Sequence, residues 1–138
     1  MGIESQFYKE KQLNRKKKLR ELEKELPPYV IPYLDDKVNG ELVVSENIAD
    51  NGGMAVTLQI MHETKDADFK AYFINWARIW CQKAKKEYSL FLLKNDVHSP
   101  ARLRANMQVK NFKEWYDAFD VKETDKMYLK PEERLIIW

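Results

Sequence analysis

Apolar side chains recur at helical intervals along most of this sequence, and proline- or glycine-containing stretches interrupt them. From residue 3 to about 26, Ile3, Phe7, Leu13, Leu19, Leu22 and Leu26 form a thin stripe among charged residues. The pattern predicts one helix whose apolar face is too sparse for a buried core element. Pro27-Pro28 ends it, because proline lacks the donor and Pro28 forces the preceding residue to be extended. Tyr29 to Asp36 follows as irregular linker, with a third proline at Pro32. Asn39-Gly40 marks a turn, and the β-branched pair in Glu41-Leu42-Val43-Val44 predicts a short strand or hairpin. Ser45 is the expected N-cap of the next helix, with Glu46 in its first turn. Gly52-Gly53 should weaken or bend that helix, which Met54, Leu58 and Met61 carry on to about Thr64.

The strongest periodicity runs from Ala67 to about Ala84, where Phe69, Phe73, Trp76 and Trp80 lie four, three and four apart, with Ile79 alongside. Tyr88 to Lys94 predicts another apolar helical piece, broken by Asp96-Val97-His98-Ser99-Pro100. Asn111 opens a short helix bearing Phe112, Trp115, Tyr116 and Phe119. The fold class expected is mainly α, with a short β-hairpin.

Composition narrows the function classes. A 138-residue chain with 44% hydrophobic and 33% charged residues suits one globular domain. No run of 18 apolar residues predicts a membrane span, and the N-terminal residues show no secretory h-region. With Cys81 as its single cysteine, the chain can form no internal disulfide and no cysteine-rich zinc site. These features together give a cytoplasmic expectation. The net charge of +2 is uneven: residues 1–25 hold 8 Lys and Arg against 5 Asp and Glu, and residues 26–138 hold 16 against 17. A nucleic-acid function would have to rest on the basic segment, Arg15 to Arg20 above all.

A few side chains could carry chemistry. Glu46 and Asp50 sit four apart, about 40° around a helix from one another. Their repulsion costs a few tenths of a kcal/mol unless a positive group or a metal sits nearby. The plainer interpretation is two solvated anions in a first turn. His62 begins His-Glu-Thr-Lys-Asp, which departs from the zinc motif HExxH at Asp66 and suggests a surface residue at a helix end. His98 lies in a tight loop, with Asp96 able to orient its ring and Arg102 and Arg104 just downstream. An imidazole beside a guanidinium can stabilise an oxyanion and a substrate carbonyl; a hydrogen-bonded loop histidine with solvent-facing arginines accounts for these residues equally well. Cys81 reads as a small buried hydrophobe.

Val38-Asn39-Gly40, Glu46-Asn-Ile-Ala-Asp50-Asn-Gly-Gly53, Ile79-Trp80-Cys81, Asp96-Val-His-Ser-Pro100, Arg104 and the terminal Trp138, in this order, resemble the C-terminal part of neprilysin-family zinc metalloendopeptidases, especially the bacterial oligopeptidase O branch. The resemblance runs from about Lys37 to Trp138. It implies a C-terminal helical part of a gluzincin catalytic domain at 37–138; residues 1–36, the basic helix and proline-containing linker, do not match the family pattern. It further implies Glu46 as the third zinc ligand and Asp50 as the carboxylate that orients a zinc-bound histidine. By the same resemblance His98 stabilises the tetrahedral transition state, Arg104 holds a substrate carbonyl, and Ile79 with Trp80 lines an apolar S1′ pocket. The implied reaction is zinc-dependent hydrolysis of oligopeptides on the amino side of apolar residues.

The departures are equally specific. No HExxH occurs in the sequence, so the two histidine ligands and the general base are missing, and Leu135 replaces the cysteine of the family's C-x-x-W motif. One carboxylate cannot hold a catalytic zinc. The chain is therefore expected to be inactive alone: either a truncated or split gene product, or a half that acts only beside a chain carrying HExxH. The alternative is a non-catalytic helical module whose basic helix binds an acidic partner or RNA.

Overall fold

A computed structural model describes residues 30–31, 36–135 and 137. The basic helix expected at 3–26 lies outside the described residues, as do residues 29 and 32–35 of the expected irregular linker Tyr29–Asp36, whose described residues 30, 31 and 36 are in strands instead.

A minimal antiparallel ribbon opens the described part. Strand β1 (Val30–Ile31) pairs with β2 (Asp36–Lys37), Val30 opposite Lys37 and Ile31 opposite Asp36. Five helices follow: α1 (Gly40–Glu63), α2 (Phe69–Ile79), α3 (Lys86–Asn95), α4 (Ala101–Met107) and α5 (Lys113–Phe119). Single 3₁₀ turns sit at Val109–Asn111 and Pro131–Glu133. The mainly α class stands. Among the described residues no helix is long and apolar enough to cross a membrane.

The hairpin expected at 39–44 is displaced. Glu41 to Val44 is the first turn of α1, and its N-cap is Asn39, whose side-chain oxygen accepts from the Leu42 amide at 3.2 Å. An asparagine that caps satisfies a donor the helix would otherwise leave open, and this outweighs the β preference of Val43-Val44. Val43 then serves α1 as a core residue, 3% exposed. Glu46 consequently sits in the second turn rather than the first, and Ser45 is an exposed helical residue. The helix runs on through Gly52-Gly53: Gly52 is buried in the packing, and tertiary contact offsets the weak propensity.

The core joins α1, α2 and α5. Met54 and Leu58 meet Phe73, Val109, Trp115 and Tyr116, with Trp76 and Phe112 at the margin. Asp68 caps α2 by accepting from the Ala71 amide at 2.8 Å. That helix stops at Ile79 with Trp80 as its C-cap, so residues 81–84 lie beyond it rather than within it. Cys81 is therefore exposed, not buried as expected, because it falls past the end of the stripe that packs inward. His62 is exposed at the end of α1, where its Nε2 pairs with Glu114 of α5 at 2.7 Å.

The segment after α5 is tied back onto it. The Tyr116 hydroxyl donates to the Lys110 carbonyl at 2.7 Å and accepts from the Leu129 amide at 3.1 Å. Arg134 lies over the Tyr116 ring at 3.8 Å and donates from Nε to the Leu129 carbonyl at 3.0 Å.

Candidate active site

Four pieces of chain converge on one cleft of about 190 Å³, whose lining includes Trp80, Leu92, Asp96, His98 and Arg104. The C-terminal end of α2 supplies Trp80, α3 supplies an apolar wall, the 96–100 loop supplies His98, and α4 supplies Arg104. Alongside them, α1 carries Glu46 and Asp50.

The loop geometry begins at Asp96, the C-cap of α3. Its Oδ1 accepts from the His98 amide at 3.0 Å and lies 2.7 Å from His98 Nδ1. One carboxylate oxygen thus fixes both the turn and the ring. The opposite ring nitrogen, Nε2, stands 3.2 Å from Glu46 Oε2. A ring protonated at both nitrogens pairs with both carboxylates, whereas a neutral ring can donate to only one. The hydrogen bond from the His98 side chain holds the Asp96 carboxyl below the usual carboxylate range.

Asp50 has a different partner. Arg104 reaches it with two parallel bonds, Nε to Oδ2 and Nη2 to Oδ1, both 2.7 Å. Their side chains are 12% and 15% exposed, so the pair is largely desolvated. The Arg104 guanidinium also lies 3.8 Å from the centroid of the Trp80 ring, and its backbone carbonyl accepts from Trp76 Nε1 at 3.2 Å. A planar cation held by a fork and a stack keeps one orientation, which a lysine ammonium would not. The carboxylate repulsion noted in the sequence is compensated at Asp50 by Arg104, while the His98 ring stands against Glu46.

The remaining sequence candidates separate. Arg102 is exposed on α4, away from this array. Ile79 is 66% exposed and does not line the cleft, whereas Trp80 does. Sequence reasoning missed Asn47, Ser99 and Gln108. The Ser99 hydroxyl donates to Asn47 Oδ1 at 2.8 Å, and Gln108 Nε2 donates to the Asn47 carbonyl at 3.2 Å. These bonds fasten the histidine loop and the end of α4 to α1. Their only forewarning in the sequence is polar type beside a motif residue; their sequence separations of 52 and 61 hide the pairing.

A zinc centre is not complete here. Among the described residues no group of three or more His, Cys, Asp or Glu is placed to hold a metal ion. A catalytic zinc takes three protein ligands.

Comparison with known proteins gives this arrangement its class. The family model "Peptidase family M13" matches residues 3–135, reaching back across the basic segment that the motif pattern left out. The chain belongs to peptidase family M13, a family of metalloendopeptidases. It is 57% identical over 100 residues to the neutral endopeptidase of Lactococcus lactis, covering 72% of this chain and 16% of that protein. Human neprilysin is 30% identical over 114 residues, covering 73% of this chain and 15% of neprilysin. The crystal structure of PEPO from Lactobacillus rhamnosis matches 87% of this chain and 20% of its own, with 42% identity and a TM-score of 0.73. The chain thus spans about one-sixth of the length of the curated relatives it matches.

Proposed function

We propose that this chain is an active-site segment of a zinc metalloendopeptidase that hydrolyses oligopeptides on the amino side of apolar residues. Glu46 supplies one zinc ligand, the third in the family pattern, and the two histidines come from a polypeptide carrying HExxH, which this sequence lacks. His98 supports the oxyanion of the tetrahedral transition state, and Arg104 holds a backbone carbonyl of the substrate. Asp50 fixes Arg104 and orients a zinc-bound histidine through its remaining lone pairs. Trp80 offers an apolar surface to the residue after the cleaved bond, with Ile79 at its edge.

The observation that supports this reading is that His98 and Arg104 both line one cleft, His98 against Glu46 and Arg104 paired with Asp50 on α1. Donors positioned in advance lower the cost of a developing negative charge, because nothing has to reorganise during the reaction. A peptide oxyanion is the ligand that such a histidine and arginine suit.

The test exchanges the matched segment of the Lactococcus lactis neutral endopeptidase for the matched residues of this chain. The hybrid should cleave a fluorogenic peptide with an apolar residue after the scissile bond. Glu46→Ala should abolish turnover, and His98→Ala should lower kcat by about 10² or more. The 138-residue chain alone, supplied with Zn²⁺, should not cleave it. Turnover by the chain alone that Glu46→Ala removes would overturn the view that it needs a complementary part.

A further inference from the structure

Two contacts join the histidine loop to α1, and they differ in kind. The first is His98 Nε2 against Glu46 Oε2 at 3.2 Å, between side chains 41% and 38% exposed. Water competes for groups that open, so such a pair holds little by itself. The second contact involves the next residue on each side. The Ser99 hydroxyl donates to Asn47 Oδ1 at 2.8 Å, and Ser99 is only 7% exposed. A hydroxyl buried this far cannot turn to water instead, so losing its acceptor carries a desolvation penalty. Among the described residues no other hydrogen bond joins residues 96–100 to α1.

Asp96 does not supply this link. It fixes the ring from within the loop, two residues from His98, and leaves the distance between loop and helix free. Asn47 also takes a second bond. Gln108, the C-cap of α4 and likewise 7% exposed, donates from Nε2 to the Asn47 carbonyl at 3.2 Å. One residue of α1, adjacent to Glu46, thus receives both the loop that carries His98 and the end of the helix that carries Arg104. An amide suits the position, because its oxygen accepts at every pH. An aspartate there would crowd a third carboxylate between Glu46 and Asp50.

We propose that Asn47 is a positioning residue for peptide hydrolysis at this cleft: by holding Ser99 it sets where the His98 ring stands. Asn47 touches no substrate in this scheme and acts through His98. The proposal rests on reading His98 as the support of the oxyanion. Positioning of this sort is felt in the transition state. A donor displaced by about 1 Å loses much of its hold on a developing charge, while binding of the uncharged substrate changes little.

Kinetics of the hybrid described above and hydrogen exchange of the 138-residue chain test it together. Asn47→Ala and Ser99→Ala should each lower kcat about tenfold, with KM within about twofold of the parent. The double variant should lose no more than either single one, because both remove the same bond. Asn47→Ala leaves the carbonyl that Gln108 uses in place. Tyr116→Phe, which loosens the C-terminal segment elsewhere, should leave kcat unchanged and so separates positioning from a general loss of stability. In the chain alone, Ser99→Ala should speed amide exchange at residues 98–104 at least about tenfold and leave the inward stripe of α2 as protected as before. Losses that multiply in the double variant, a change confined to KM, or unchanged exchange at residues 98–104 would each overturn the proposal. A parent hybrid that cleaves nothing removes the proposed function instead. Faster exchange at residues 98–104 then keeps Asn47 as the residue that holds the loop, and unchanged exchange removes that role too.

Discussion

Arg104 grips Asp50 through two parallel hydrogen bonds of 2.7 Å, across 54 positions of sequence, and so fixes α4 against α1 at the cleft. Because both side chains are largely shielded from water, the pair behaves as one unit. Removing either partner leaves the other charge without compensation.

Arg104→Ala in the 138-residue chain should therefore lower stability by about 2–4 kcal/mol, more than the loss of one surface ion pair. Arg104→Lys should recover only part of it, since an ammonium cannot make both bonds or stack flat on Trp80. Urea unfolding of the two variants, together with Asp50→Ala and the Arg104→Ala/Asp50→Ala double variant, checks this. Additive effects in that cycle would show the two residues to be independent.

Asp96 makes a prediction about acid. Its carboxyl is held below its ordinary value of 3.8, chiefly by the hydrogen bond from the His98 side chain. A carboxyl depressed in the folded state adds stability that is fully present above its unfolded value. That contribution disappears as pH falls through the folded value. The wild-type urea midpoint should accordingly decline below about pH 4, and Asp96→Asn should flatten the decline in that window. Parallel curves for the two proteins between pH 5 and 2 would show that the bond contributes nothing.

Tyr116 is the anchor of the C-terminal segment. Tyr116→Phe keeps the buried ring but leaves the Lys110 carbonyl and the Leu129 amide without their partner. We expect a loss of about 1–2 kcal/mol and faster cleavage of residues 120–135 by a nonspecific protease. Limited proteolysis followed by mass analysis locates the cuts.

Asn39 decides where α1 begins. Asn39→Ala should cost about 0.5–2 kcal/mol, whereas Ser45→Ala, inside the helix on an exposed face, should be close to neutral or slightly stabilising. Thermal denaturation of both variants distinguishes a cap at Asn39 from one at Ser45.

Much of the helical content was legible along the chain. Phe69, Phe73 and Trp76 mark the inward stripe of α2 because a helix exposes the same spacing to its neighbours wherever it lies. The ends were less legible. Glu41 to Val44 favours a strand locally, yet a single cap and the burial of Val43 convert it to helix. Cys81 looked like a member of a stripe that in fact ends at Trp80, one residue before it.

The chemistry divides in the same way. The residue order alone determined the family resemblance and singled out Glu46, Asp50, His98 and Arg104, since spacing within a motif is a one-dimensional property. The sequence could also place Asp96 within reach of His98, only two positions away. Tertiary structure decided the pairings: Glu46 with His98, Asp50 with Arg104, and Asn47 with Ser99. It also decided that Trp80 lines the cleft while Ile79 is exposed. These relations join residues about fifty positions apart or differ between adjacent ones. They follow from how α1, α2 and α4 pack, which no local spacing specifies.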